Sequence, residues 1–348
     1  MLTYWLLFLV PLYFLFGKFQ GGANTSQLEW RIFSLLLITL IGLRHHVGGD
    51  WFPYLEGLEL ENAIQWSNLF SMRDPGYTLI SWFSIALGAG IYGINFICAI
   101  IFTGGLINLS RAQRFSWLSI LVAVPYLVIV VAMGYTRQAT AIGFLMYGFG
   151  YLTRGRLNAY LVLVLLAGMF HKTAFVFAAF ALFQPGSSKL KGILGVGLLI
   201  GLIGGTYLVE QAQTLMLHYV EEGMESDGGQ IRILMNLLPA LIFLFYWKKW
   251  GQRFNDRWLW GLFALLAIVC APIVSIASTA VDRMALYLIP LQLVVWARLP
   301  VLVSGNSNRT LATLMVVFYY AIVQYTWLVH GTFASHWLPY DNLLFPSF

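Results

Sequence analysis

The chain has 348 residues, 59% hydrophobic and 10% charged, with a formal net charge of +6 and a mean hydropathy of +0.77. A soluble domain cannot bury that much apolar surface, so a bilayer is the solvent for most of it. No HExxH, paired CxxC, P-loop or strand-linked GxGxxG occurs, which removes the metal-hydrolase, redox and nucleotide-binding classes those patterns mark.

In chain order, residues 1–16 are apolar with no basic flank and no small-residue cleavage site, and read as a retained span. The run 31–43 ends in the polar string RHHVGGDWFPYLEG at 44–57. Glu56, Glu59 and Glu61 read as the wet face of an interfacial helix. Segments 75–90 and 92–109 are interrupted by Gly88, Gly90 and Gly93. Segments 116–133, 138–152, 157–170 and 173–184 follow, the last two divided by His171-Lys172. Then come 192–210, 232–247, 258–278, 284–297 and 310–328. Cys98 and Cys270 lie within apolar runs and read as small hydrophobes. The expectation is one transmembrane domain over 1–348, an all-α polytopic membrane protein. It has about 12 full crossings and a re-entrant or interfacial helix near 75–90.

Basic residues set the sidedness. From residue 110 onward one set of loops carries twelve basic residues, among them Arg111, Arg114, Arg154, Arg156, Lys248 and Lys249, and its only acid is Asp256. The alternate set carries Arg137, Lys172, Arg232 and Arg283 with most of the acids, including Glu221, Glu222, Asp227 and Asp282. The first set is assigned to the cytoplasm. The positive balance is then a topology signal and a contact with anionic lipid heads, not a nucleic-acid footprint. Charge does not orient 44–73; an outward placement puts the remaining polar groups on one face. The acidic stretch 218–230 is expected to be an outer loop covering the cavity.

Charge near hydrocarbon is costly and marks a site or a wet cavity. Arg44, Asp50, Tyr54, Asp74, Tyr77, Arg137, Gln138, His171, Lys172, Thr173, Arg232, Asp282, Arg283 and Tyr287 are the residues that topology leaves unexplained. Each has a plainer reading. Arg137 or Lys172 alone snorkels to lipid phosphates, Asp282 and Arg283 pair across the bundle, and His45-His46 cap a helix or sit at the interface. No metal-ligand spacing is present. Collectively, guanidinium, ammonium and imidazole groups from separate turns on one face suit a diphosphate.

The ordered set resembles the EpsG branch of the Wzy-like bacterial polysaccharide polymerases. It comprises Arg44 before Gly49-Asp50-Trp51-x-x-Tyr54, Asp74-Pro75-Gly76-Tyr77, Arg137-Gln138, Phe170-His171-Lys172-Thr173-Ala174 and Asp282-Arg283-x-x-x-Tyr287. The match runs over roughly residues 40–290. The resemblance implies an architecture like the GT-C membrane glycosyltransferases and a site on the outer face of the bacterial inner membrane. The implied partners are an undecaprenyl-diphosphate-linked oligosaccharide donor and acceptor, the bilayer, and flippase and chain-length regulator proteins. The implied chemistry releases undecaprenyl diphosphate. Arg137, Lys172, Arg283, Arg232 and Arg44 are expected to bind the diphosphate. Asp50 leads His171 and Asp282 as the catalytic base, and Tyr54, Asp74, Tyr77, Gln138, Thr173 and Tyr287 support the site. No cofactor and no metal are expected. A transporter or flippase of a lipid-linked saccharide is the alternative, although no internal repeat is evident.

Overall fold

The computed structural model describes residues 1–19, 26–61, 74–186, 229–274 and 278–345, with isolated positions 193 and 197. The expected segment 192–210 and the loop 218–230, apart from those positions and Gly229–Gln230, lie outside the described residues. Every element is helical among the described residues, apart from isolated bridges at Arg44, Asn342 and Phe345.

The helices are α1 (Leu2–Phe19), α2 (Gln27–Gly42), α3 (Trp51–Glu61), α4 (Pro75–Ala86), α5 (Gly90–Arg111) and α6 (Ser116–Ala123). A π-type stretch, Val124–Ala132, continues α6. After it come α7 (Thr136–Thr153), α8 (Leu157–Phe170) and a 3-10 run, Lys172–Phe183. The remainder are α9 (Gly229–Phe245), α10 (Trp247–Arg253), α11 (Arg257–Ile273), α12 (Ser278–Tyr287), α13 (Ile289–Leu302) and α14 (Asn306–His330).

Helix α5 and helix α14 are each long and apolar enough to cross a membrane. The pair 230–245 and 247–253, bent by 74°, and the pair 281–287 and 289–302, bent by 43°, raise the number to four if each is one span. Other apolar helices run 10–17 residues. At about 1.5 Å per residue these fall short of a hydrocarbon core about 30 Å thick. Among the described residues the two to four candidate spans are compatible with the expected helical membrane protein. Helix α4, in the segment expected not to cross, has 12 residues and is followed by Gly88 and Gly90, which both take positive φ. Large apolar side chains stay outside: Leu87 is 82% exposed and Phe245 81%. A surface of that kind belongs in lipid and fits a membrane protein.

The chain forms two compact units. The first comprises Met1–Tyr147, Leu166–Lys172 and Trp296–Phe348. Its centre is the run 116–134, apolar on every side and buried throughout, as such a helix must be. Trp117 is stacked between Phe14 at 4.4 Å and Trp30 at 4.3 Å, tying α1 and α2 to α6. Small residues let backbones meet: a Cβ on Gly105 would lie 2.1 Å from the Gly143 carbonyl oxygen, so α5 and α7 touch main chain to main chain. The start of α2 carries a capping box, Ser26 and Glu29 exchanging side-chain and backbone bonds.

The second unit comprises Gly148–Leu165 and Thr173–Val295. Phe177 is its hub, with Phe149, Phe180, Phe263 and Tyr287 around it at 5.1–6.2 Å. Polar groups inside are matched to one another. Asn236 donates to the Ala285 carbonyl at 2.8 Å and accepts from Gln292 at 2.6 Å.

Candidate functional site

Three of the sequence motifs converge in the first unit. Helix α7 opens with Arg137, and its guanidinium rests 4.4 Å from the Tyr77 ring centroid and 5.2 Å from that of Tyr54. The two phenol rings are themselves 5.5 Å apart, so the cation caps an aromatic pair. Its Nη1 donates to Asp74 Oδ2 at 3.0 Å. Asp74 stands at the N-cap of α4 but makes no capping bond with its side chain; the carboxylate turns to the arginine instead. The Asp74 side chain is 6% exposed and that of Arg137 is 26%, so the carboxylate is a buried anchor and the arginine keeps a wet face.

Local chemistry explains the geometry. Pro75 sits at the first position of α4, where a missing N–H costs nothing, and the Asp74 carbonyl accepts from Thr78 N–H. A Cβ on Gly76 would lie 2.9 Å from the Phe170 ring and 3.0 Å from Met169 Cβ. Only glycine lets α8 end against the 74–77 turn, and that packing brings the His171–Lys172 turn alongside. His171 N–H closes the last bond of α8 on Ala167.

The Asp50 loop approaches through α3. The Asp50 carbonyl accepts from Tyr54 N–H at 3.0 Å, and Tyr54 Oη lies 3.5 Å from the Arg137 amide. Burial pushes the Tyr54 phenol above its ordinary pKa; the nearby Asp50 carboxylate adds to this, and Arg137 and Arg44 oppose it. Three charged side chains from two turns therefore act on one phenol. Gln138 is buried one residue beyond Arg137.

Arg44 is placed differently from the expectation. It is 1% exposed. Its Nε donates to the Val47 carbonyl at 3.1 Å, Nη1 to Ile41 at 2.5 Å, and Nη2 to Asn95 Oδ1 at 3.1 Å and Thr136 Oγ1 at 2.7 Å. Burial lowers its pKa, but the guanidinium remains a cation at neutral pH. A side chain enclosed in this way ties α2, α5 and α7 together and does not present itself to a phosphate. Asn95 and Thr136 were missed from the sequence. An asparagine inside the apolar run 92–109 was the available signal.

His45 and His46 stack at 3.8 Å, with Trp51, Phe52 and Tyr92 around them, and His45 Nδ1 meets the Tyr92 hydroxyl at 2.6 Å. They form an aromatic cluster rather than a helix cap.

The remaining predicted residues belong to the second unit. Arg232 of α9 is ion-paired through Nε with Asp282 Oδ1 of α12, each side chain about a tenth exposed. Tyr287 is buried against Phe177 at 5.6 Å, Arg283 is exposed, and Thr173 is the half-buried second residue of the 3-10 run. The packing reading of Asp282 thus has a concrete partner, five residues before the Phe177 hub's Tyr287.

No curated protein and no solved structure matches the chain. A family model, that of the EpsG family, matches residues 28–342, a stretch that holds every residue of the Arg137 cluster. With nine-tenths of its length inside that match, the chain belongs to the EpsG family.

Proposed function

We propose that this protein is a polysaccharide polymerase, a glycosyltransferase that joins oligosaccharide units carried on undecaprenyl diphosphate and releases that lipid diphosphate. Family membership and the apolar helices put the chain in polysaccharide synthesis at a membrane. The observation that carries the finer reading is Arg137, backed by a buried carboxylate, stacked on two phenols and still partly exposed.

The reaction breaks the bond between the donor sugar's C1 and the diphosphate oxygen. The acceptor hydroxyl attacks C1 and gives up its proton, and the electron pair leaves with the diphosphate. Negative charge therefore grows on the departing oxygen, and a fixed cation there stabilises the transition state more than the ground state. Asp74 and the two rings hold the Arg137 plane in place, so little reorganisation is needed when that charge appears. Lys172, on the turn packed beside 74–77, is the second cation. Asp50 is the leading base; it is half-buried at the start of α3 and acts on Tyr54. Asp282, in the second unit, is held in an ion pair by Arg232 and takes no part in this scheme. Arg44 is a positioning residue in this scheme. We place the site on the outer face of the bacterial inner membrane, with a short α4 that enters the bilayer without crossing it.

Arg137→Ala should leave the protein inserted and cost about 10²-fold or more in turnover, the typical loss of one charge-stabilising donor. Arg137→Lys should restore only part, since a point charge does not replace a planar fork. The measurement is turnover on purified lipid-linked repeat units at matched protein level. A wild-type rate for Arg137→Ala would remove the diphosphate reading.

A further inference from the structure

The segment after α14, Gly331–Phe345, carries no motif, yet it is bonded to the Arg44–Asp50 loop along its length. His45 N–H donates to the Asp341 carbonyl at 3.0 Å, Gly48 N–H to His336 at 2.9 Å, and Leu343 N–H to Leu43 at 2.8 Å. Side chains add to the main chain. Asn342 Nδ2 donates to the Thr39 carbonyl at 3.1 Å and Tyr340 Oη to that of Leu40 at 2.9 Å. The segment serves the loop as a neighbouring strand would serve it, satisfying main-chain groups at the end of α2.

Trp337 is the anchor. It is 1% exposed, its indole N–H donates to the Ile129 carbonyl at 2.7 Å, and its own carbonyl accepts from the Tyr4 hydroxyl at 2.7 Å. Its ring lies under two glycines from different turns. A Cβ on Gly134 would lie 2.4 Å from the ring, and one on Gly49 3.6 Å from it. Gly48 in turn has φ +107° and lies with its Cα side on the Met133 carbonyl, where a Cβ would sit at 2.1 Å. The loop is thus held between Trp337 and the 133–134 turn. Three residues beyond Gly134 stands Arg137, and one residue beyond Gly49 stands Asp50, followed by Tyr54.

We propose that Trp337 is a positioning residue, and the 336–343 segment a strap, that together set the Arg137 turn against the Asp50–Tyr54 turn. The proposal rests on the polymerase reading, since the distance being set is that between the diphosphate-binding cation and the base. A 1 Å displacement of such groups costs up to about 10²-fold in rate, so a strap that touches neither reactant still governs turnover.

Trp337→Phe keeps most of the ring and loses the N–H; Trp337→Ala loses both. Asn342→Ala removes three side-chain bonds of the strap, to the Thr39 carbonyl, to the Tyr340 hydroxyl and from Leu344 N–H, and guards against a Trp337 variant that does not fold. Hydrogen exchange of 43–50 and 133–137 should rise at least about tenfold in Trp337→Phe and in Asn342→Ala, while that of 257–273 in the second unit stays at the wild-type rate, as expected of a local opening. On lipid-linked repeat units kcat should fall about tenfold in Trp337→Phe with KM nearly unchanged, and further in Trp337→Ala, the split expected when reacting groups are misplaced and ground-state binding is not. In an Arg137→Ala background the Trp337→Phe loss should largely vanish, because both act through one cation. Unchanged exchange in 43–50 and 133–137, or a wild-type kcat despite raised exchange, would overturn the strap. A wild-type rate for Arg137→Ala alone would instead overturn the diphosphate reading while the exchange result still decided the strap.

Discussion

Two arginines in the same unit stand at the ends of neighbouring turns and do opposite work. Arg44 is closed in, and its four assigned bonds go to two main-chain carbonyls and two neutral side chains. Arg137 has a carboxylate behind it, phenol faces beneath it and a quarter of its side chain exposed. Charge type alone therefore says little about role. A guanidinium surrounded by neutral acceptors has been converted into a structural knot. One oriented by a buried acid and aromatic faces keeps the wet face that the proposed diphosphate contact requires.

The largest effect that would sharpen this contrast is on Arg44. Arg44→Ala strands buried acceptors from three helices and should cost about 4 kcal/mol of stability, near the limit for a single substitution. Its membrane abundance and thermal midpoint should fall steeply, whereas Arg137→Ala, which takes one partner from Asp74 but removes a side chain already 26% exposed, should lower both less. Equal losses of abundance in the two variants would erase the distinction. Next comes Asp74→Asn, which keeps the shape but removes the charge that fixes Arg137. Turnover should fall between about 10- and 10²-fold with abundance nearly preserved, because orientation and not folding is lost. Gly76→Ala forces a methyl against Phe170 and Met169. It should lower stability by roughly 1–3 kcal/mol, read as a shifted thermal midpoint in detergent, as overpacking does. A midpoint at the wild-type value would mean that α8 does not rest on that turn. The smallest effect belongs to Tyr77. Tyr77→Phe keeps the ring under Arg137 and should change turnover less than twofold, whereas Tyr77→Leu should lose about 0.5–2 kcal/mol of cation–aromatic contact and show several-fold lower turnover. Equal rates for Phe and Leu would show that the ring is packing only.

Much of the Arg137 cluster was legible because its members sit where local rules draw attention. They are an arginine opening an apolar helix, an Asp-Pro-Gly turn, and a polar string ending a hydrophobic run. The burial of Arg44 was not legible because it depends on Asn95 and Thr136, 51 and 92 residues away. Nothing in the RHHVGGD string itself distinguishes a buried guanidinium from an exposed one. The pairing of Asp282 across the bundle was legible as a possibility, but its partner Arg232 lies on another helix, 50 residues away, and could not be named. The end of α4 was legible in Gly88 and Gly90, which take positive φ just beyond it, whereas hydropathy carried no sign that 172–183 winds as a 3-10 run. The 331–345 segment was silent because its partners, Tyr4, Leu40 and Ile129 among them, lie 208 to 333 residues away and are reached mostly at main-chain groups.

Those same contacts bear on how the molecule is made. Tyr340 finds its partner Leu40 across 300 positions of chain. At a synthesis rate of about 5–20 residues per second, the Arg44–Asp50 turn waits roughly 15–60 s between its own emergence and that of the residues that complete it. During that interval the nascent polypeptide holds the charged turn without its closing partner, so assembly of the first unit is ordered in time, an early turn finished by a late segment. Ribosome-bound chains halted before and after residue 345 should differ in protease sensitivity at 43–50; identical cleavage would show that the turn matures without the late segment.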